Sequence, residues 1–134
     1  MNTLRTKKYP LATLEYLEID NILFYRVKQG IEIDVYEITE MLGYVEEFMG
    51  EKKHYAVIDF GSNVMSTTEA RKVYADSKYI QTYRMVDAFL VKSLPLRLVA
   101  NFFINITKPK VQTQLFTDEE SAIKWLKSKK LTHI

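Results

Sequence analysis

Residues 55–60, Tyr-Ala-Val-Ile-Asp-Phe, form a short apolar run that ends at Gly61. Such a run is typical of a strand that is buried on both faces, as the strands of a parallel sheet are. A second run of this kind lies at Met85–Val91 and contains one charge, Asp87. Because parallel strands need a crossover connection, usually a helix, the two runs predict an open α/β sheet covered by helices.

The segment before the first run has the pattern of a well-capped helix. Asp34 stands where an N-cap residue belongs, and Glu37 follows three residues later as a capping-box partner. Apolar residues then recur at helical spacing until Met49, and Gly50 follows as a helix stop. We therefore predict an amphipathic helix between Asp34 and Gly50.

An antiparallel hairpin is predicted upstream of that helix. Asp20 and Asn21 both tolerate the positive φ of a two-residue turn. They separate two strand-like segments, Ala12–Ile19 and Ile22–Lys28, in which apolar residues occupy both faces. The hairpin adds two strands to the predicted sheet.

Four further elements follow along the chain. They are a helix from Thr68 to about Tyr83 after a polar loop at Ser62–Thr67, a helix at Leu94–Ile106, a strand at Gln112–Phe116, and a last helix capped by Thr117 with Glu120. The complete order is β-β-α-β-α-β-α-β-α. We predict an α/β fold with an open, mixed, mostly parallel sheet, an N-terminal β-hairpin and four helices.

Length and composition restrict the classes of protein. The 134 residues allow one domain, and the 47% hydrophobic content supports a core. We expect residues 1–10 to be a flexible basic lead-in and residues 11–130 to be the domain. The absence of cysteine excludes disulfides and thiolate metal ligands. The longest nearly apolar stretch is too short and too polar to span a bilayer, so the expectation is a cytoplasmic protein with no membrane span.

The C-terminal third carries residues that point to a known family. They are Asn101-Phe102-Phe103, Lys108-Pro109 and Leu115-Phe116-Thr117-Asp118-Glu119-Glu120-Ser121-Ala122-Ile123-Lys124-Trp125-Leu126. This segment resembles the signature of small bacterial SpoIIAA-like proteins, and the element order resembles the anti-sigma-factor antagonist fold, also called STAS. The resemblance implies a non-enzymatic module that regulates by protein–protein interaction.

Regulatory members of that family carry a phosphorylated serine in an Asp-Ser-Ser-Gly turn after the core strand. The corresponding region here offers the hydroxyls of Ser66, Thr67 and Thr68, but it lacks the Asp and Gly of the motif. Ungapped registers place either Thr67 or Thr68 at the modified position. A strand end followed by a helix start also favours an anion. In the alternative interpretation, Ser66 and Thr67 only cap the helix.

The helix at Leu94–Ile106 has apolar residues on more than one side. Leu96, Val99, Phe103 and Ile106 form one stripe, and Leu98 and Phe102, less securely with Leu94, form a second that Asn101 and Asn105 interrupt. Such a helix is either buried on two sides or carries a second contact. We expect the second stripe, Asn101, Asn105 and the loop residues Ser62 and Asn63 to form a partner surface, a homodimer interface or the wall of an apolar-ligand groove.

The sequence contains few features that would indicate catalysis, cofactor binding or nucleic-acid binding. The two histidines, His54 and His133, have no metal-ligand spacing, and no Gly-rich phosphate loop is present. Asp59 and Asp87 are candidate general bases, although a carboxylate at a strand end more often binds backbone N–H groups. The net charge of +2 is too small to indicate nucleic-acid binding. We therefore expect no enzyme, no metal and no cofactor.

Overall fold

A six-stranded sheet forms the centre of the computed structural model, which describes residues 4–132. In chain order the strands are β1 Leu4–Lys8, β2 Ala12–Leu17, β3 Ile22–Val27, β4 Ile31–Ile33, β5 His54–Gly61, β6 Val64–Ser66, β7 Arg84–Val91 and β8 Thr113–Phe116. The large sheet has the order β1-β2-β3-β5-β7-β8, with two antiparallel junctions followed by three parallel ones. The predicted open, mixed, mostly parallel sheet with a β-hairpin is confirmed.

Helices cover both faces of this sheet. They are α1 Val35–Met49, α2 Thr68–Ala75, α3 Lys78–Tyr83, α4 Leu94–Phe102, a π-helix at Phe103–Thr107 that extends α4, and α5 Glu119–Thr132. The first four α-helices pack on one face, and α5 packs on the other through Ala122 and Leu126. The capping box between Asp34 and Glu37 is formed at the start of α1, as predicted.

The N-terminal segment differs from the prediction. Residues 4–8 form β1, which pairs antiparallel with β2, so they are not a loose lead-in. Every β1 side chain is exposed, so the strand is held mainly by its main-chain hydrogen bonds to β2. Two side chains add to this: Arg5 lies 4.3 Å from the Phe48 ring centroid, and Lys7 pairs with Glu47 at 2.7 Å.

The segment between β5 and β7 also differs. The predicted polar loop contains β6, which pairs in parallel with β4 as a small second sheet. The predicted helix at residues 68–83 is divided into α2 and α3, since Asp76 ends the first helix and Ser77 caps the second by accepting from the Ile80 N–H at 3.2 Å. Residues 4–132 therefore contain five α-helices rather than the four predicted.

The last two helices begin or end differently from the prediction. The helix that starts at Leu94 becomes a π-helix at Phe103, in which the backbone hydrogen bonds join residues five apart rather than four. The N–H of Lys108 accordingly donates to the carbonyl of Phe103 at 3.0 Å. Asp118, not Thr117, caps α5, because its Oδ1 accepts from the Ser121 N–H at 2.9 Å.

Candidate binding surface

The candidate surface lies on α4, a helix that is anchored to the sheet at its start and along one side. α4 follows β7, and the Ser93 hydroxyl lies 3.4 Å from the Leu96 N–H that it caps. Ala100 and Phe103 are buried, and the Phe103 ring stacks on Phe89 of β7 with a centroid distance of 5.9 Å. One side of the helix is therefore fixed to the sheet.

The opposite side of this helix faces solvent. Leu94, Leu98, Phe102 and Ile106 are between 53% and 65% exposed. We call these four residues the α4 face. The predicted second stripe is thus exposed, and the alternative of burial on two sides is wrong. The predicted residues Leu98, Asn101, Phe102 and Asn105 lie along the helix at three- and four-residue spacing, and both asparagines are exposed.

Ile106 was predicted on the same apolar stripe as Phe103, but it does not share the burial of Phe103. The π-helix has more residues per turn than an α-helix, so a residue three positions after Phe103 is rotated away from the core. Ile106 consequently joins the exposed side, with 65% of its surface accessible. A π turn has no signal in the apolar spacing, so this shift could not be predicted from periodicity.

Ser62 and Asn63 lie in the turn between β5 and β6, at the carboxyl edge of the sheet from which α4 also starts. Gln29 holds this turn: its Oε1 accepts from the N–H groups of Ser62 and Asn63 at 3.1 and 2.9 Å. Gly61 has φ +62°, and a Cβ there would come within 2.5 Å of Gln29 Oε1. Within residues 4–132, no hydrogen bond or ion pair joins Ser62 or Asn63 to the exposed side of α4. The prediction of one continuous surface is therefore not supported by a direct contact.

The three predicted hydroxyls have different environments. Thr67 caps α2: its Oγ1 accepts from the Ala70 N–H at 3.1 Å and donates to Asp34 Oδ1 at 2.9 Å. Capping is thus confirmed for Thr67. Ser66 does not cap, because its Oγ accepts from Arg71 Nη1 at 2.8 Å.

Thr68 is exposed, and its Oγ1 accepts from Arg71 Nη2 at 3.1 Å. A phosphoryl group on Thr67 would meet the Asp34 carboxylate, whereas one on Thr68 would meet the Arg71 guanidinium. Of the two registers, the geometry favours Thr68 as the position for a modification. That any modification occurs stays a prediction.

A basic groove adjoins the α4 face. It has a volume of about 480 Å³, and Phe102 forms part of its wall. Its charged lining residues are Arg71, Lys72, Lys78, Lys108 and Lys110, with Asp76 as the acidic member. No sequence pattern predicted this groove, because its cations come from two segments, residues 71–78 and 108–110, that only the fold brings together.

Beneath α4 lies a mainly apolar cavity of about 110 Å³ between the helices and the sheet. Met41 and Val45 of α1 and Leu96, Val99 and Ala100 of α4 contribute to its lining. The cavity lies beside the helix for which an apolar-ligand groove was predicted, but the predicted wall residues Leu98 and Phe102 do not line it.

A buried polar network lies at the amino ends of β5 and β7. Arg84 Nη1 donates to Asp87, Tyr74 also donates to Asp87, and Arg84 Nε donates to His54 Nε2 at 3.1 Å. Burial and the neighbouring Arg84 charge lower the pKa of His54 to about 3, so the imidazole is neutral. Asp87 is therefore committed to a structural ion pair.

Asp59, the other candidate base, is also engaged. Its Oδ2 lies 3.1 Å from Arg26 Nη1, and its Oδ1 accepts from the Gly61 N–H at 3.0 Å. Arg26 also contacts Glu15 and Glu119, each at 2.7 Å. Within the described residues, no group of three His, Asp or Glu side chains is placed to hold a metal ion. His133 lies outside those residues.

Comparison with known proteins gives a family. The model of a family described as a domain of unknown function, DUF7793, matches residues 16–130. The chain belongs to this family. No curated protein matches the chain. Among residues 4–132, no helix combines the length and apolar composition that a bilayer crossing requires.

One solved structure is similar over almost the whole chain. It is the crystal structure of an uncharacterized protein of the DUF3478 family from Shewanella loihica PV-4, described as having a SpoIIAA-like fold. The two are 15% identical, with a TM-score of 0.54 and 93% of each chain covered. At this identity the similarity establishes the fold alone. The predicted SpoIIAA-like fold is confirmed.

Proposed function

We propose that this DUF7793 protein is a non-enzymatic regulatory module that binds a protein partner through the α4 face. The observation that carries the proposal is the exposure of Leu94, Leu98, Phe102 and Ile106 on a helix whose other side is packed on the sheet. Large exposed apolar patches on folded domains mark sites of interaction with other molecules. The resemblance in fold to anti-sigma-factor antagonists supports a regulatory role.

The surroundings of the carboxylates support the non-enzymatic part of the proposal. Asp87 is held by Arg84 and Tyr74 in a closed network, and Asp59 is held by Arg26 and a backbone N–H. A general base must reach the proton that it removes. Both candidate bases instead have structural partners.

Site-specific crosslinking in living cells tests the proposal. A photoreactive phenylalanine analogue is placed at Phe102, and a matched control is placed at Leu131, which is 73% exposed on α5. We expect one defined crosslinked species from Phe102 and none from Leu131. A species of twice the chain mass would identify a homodimer as the partner. Equal crosslinking at both positions, or none at Phe102, would contradict the proposal.

A second candidate function is the binding of a small apolar ligand, and the cavity beneath α4 favours it. Its volume of about 110 Å³ is close to that of an engineered cavity of about 150 Å³ that binds benzene. It is too small for a fatty acyl chain, so a small ring compound is the better candidate than a lipid.

Thermal unfolding with benzene tests this second candidate. We expect benzene to raise Tm of the wild type, because a ligand that binds only the folded state stabilises it. Ala100→Met is the matched variant, since Ala100 lines the cavity and a flexible methionine can fill it. An equal rise of Tm in both proteins would show that benzene acts elsewhere.

A further inference from the structure

The chain segment that contains α4 carries charged side chains of one sign only. Residues 88–117 contain no Asp or Glu, but they contain Lys92, Arg97, Lys108 and Lys110. The preceding carboxylate, Asp87, is buried and paired with Arg84, so it does not offset these charges at the surface. The α4 face is therefore an apolar patch in a basic setting.

The basic groove continues this surface. Phe102 belongs to the α4 face and also forms part of the groove wall, so the apolar patch and the groove meet at its side chain. The groove is lined on one side by Arg71, Lys72 and Lys78 and on the other by Lys108 and Lys110. Asp76 is the one carboxylate in its lining. Clefts lined by one sign of charge concentrate the field and select ligands of the opposite sign.

The shape and charge of this surface discriminate between occupants. A two-fold homodimer would bring the same patch of both subunits together, which here would place cations against cations. A bilayer could accept the α4 face, but its flat surface would not fill a groove of about 480 Å³. An acidic polypeptide can contact both features at once.

We infer that the partner segment bound here is an acidic amphipathic stretch of polypeptide. Its apolar residues lie on Leu98 and Phe102, and its carboxylates enter the groove beside Lys72 and Lys110. This inference rests on the proposed function, because it specifies the chemistry of the partner that the α4 face binds. Apolar contact provides affinity, and the charges select the partner and accelerate its association.

Peptide probes test this chemistry directly. The first is a peptide of about 18 residues with leucines at helical spacing and glutamates between them. The second has lysine in place of glutamate, and the third has serine in place of leucine. In fluorescence anisotropy at low salt, we expect the first peptide to bind at least about tenfold more tightly than either of the others. Equal binding of the glutamate and lysine peptides would overturn the inference.

Charge variants locate the binding site. Lys72→Glu combined with Lys110→Glu should weaken binding of the glutamate peptide by about tenfold or more, and Phe102→Ser by about fivefold. The matched control combines Lys53→Glu with Lys124→Glu, which changes the net charge equally at exposed positions outside the groove. An equal loss in both double variants would show non-specific attraction and overturn the assignment of the groove.

The two proposals can fail separately. If Phe102 crosslinks to a partner whose binding is unchanged by Lys72→Glu with Lys110→Glu, the partner surface stands and the acidic chemistry is wrong. Absence of both the crosslink and peptide binding would refute both. The last measurement is binding of the protein to vesicles of phosphatidylcholine and phosphatidylglycerol at about 3:1. Binding to them without binding to the glutamate peptide would identify a membrane surface and overturn the inference.

Discussion

α1 and α4 are both amphipathic helices with a side-chain N-cap, but they use their apolar residues differently. α1 buries Ile38, Met41, Tyr44, Val45, Phe48 and Met49. α4 buries Ala100, while Leu94, Leu98 and Phe102 are more than half exposed. Apolar spacing thus defines the faces of a helix, whereas the neighbouring elements decide which of those faces is covered. α1 therefore belongs to the core, and α4 is both a core element and a surface.

The strongest test of this comparison is one phenylalanine from each helix. Phe48→Ala should lower the free energy of unfolding by about 3–5 kcal/mol, because it removes a buried ring and leaves a cavity. Phe102→Ala should change it by no more than about 0.5 kcal/mol, since the ring is 53% exposed. Urea denaturation followed by circular dichroism measures both. Comparable losses would mean that the α4 face is part of the core.

The same contrast explains how much of the fold could be predicted. β5 and β7 were predicted because a strand that is buried on both faces is apolar at nearly every position. β1 was not predicted, because its five side chains are exposed and its main-chain pairing with β2 leaves no apolar pattern. The division between α2 and α3 was missed because Ser77 is a capping residue inside a continuous helical pattern.

The candidate surface was predictable to the same limited extent. Leu98 and Phe102 stood out because they lie off the main apolar stripe of their helix. No sequence pattern predicted the roles of Gln29 and Arg71. Gln29 holds the β5–β6 turn, and Arg71 contacts Ser66 and Thr68, so the partners of both are defined by tertiary structure. Sequence periodicity reports burial along one element, whereas a groove arises between elements.

The segments that adjoin the two helices differ in their response to pH, because only the segment after α1 contains a buried histidine. The chain that leaves α1 enters the buried network at His54, whose pKa is lowered to about 3, whereas residues 88–117 contain no histidine or carboxylate. The unfolded histidine binds a proton near pH 6.5 and the folded one does not. The stabilisation is therefore complete above pH 6.5 and is lost as pH falls towards 3.

Between pH 6.5 and 4.5 we expect the free energy of unfolding to fall by about 2–3 kcal/mol. Urea denaturation at several pH values measures this slope. His54→Gln should be less stable at pH 7, because its neighbours Arg84 and Lys52 lose a partner, and it should lose most of the slope in this interval. A slope unchanged by the substitution would assign the titration to another group.

Substitutions at the residues that end the two helices should have a smaller effect on the free energy of unfolding. Gly50 has φ +58° and ψ −134°, a conformation that a residue with a Cβ adopts only with strain, and Lys108 has φ +54° and ψ +70°. We expect Gly50→Ala to cost about 1–3 kcal/mol and Lys108→Gly to change stability by less than about 1 kcal/mol. Thermal and urea unfolding measure both. A neutral Gly50→Ala would show that the end of α1 can relax.

The N-caps should give the smallest difference, and their hydrogen bonds predict its direction. Asp34 makes a complete capping box with Glu37, and its carboxylate also accepts from Thr67. Ser93 makes one bond to Leu96 that is 3.4 Å long. Asp34→Ala should therefore cost about 1–2 kcal/mol, and Ser93→Ala about 0.5 kcal/mol.

Asp34→Asn is the matched control, because asparagine is an equally good N-cap but carries no charge at the start of the helix. It should retain most of the stability that Asp34→Ala loses, as measured by urea denaturation. If Ser93→Ala were as costly as Asp34→Ala, the start of α4 would be as firmly held as that of α1. The contrast between the helices would then lie only in which side chains their neighbours cover, and the α4 face would be a rigid surface presented to its partner in one conformation.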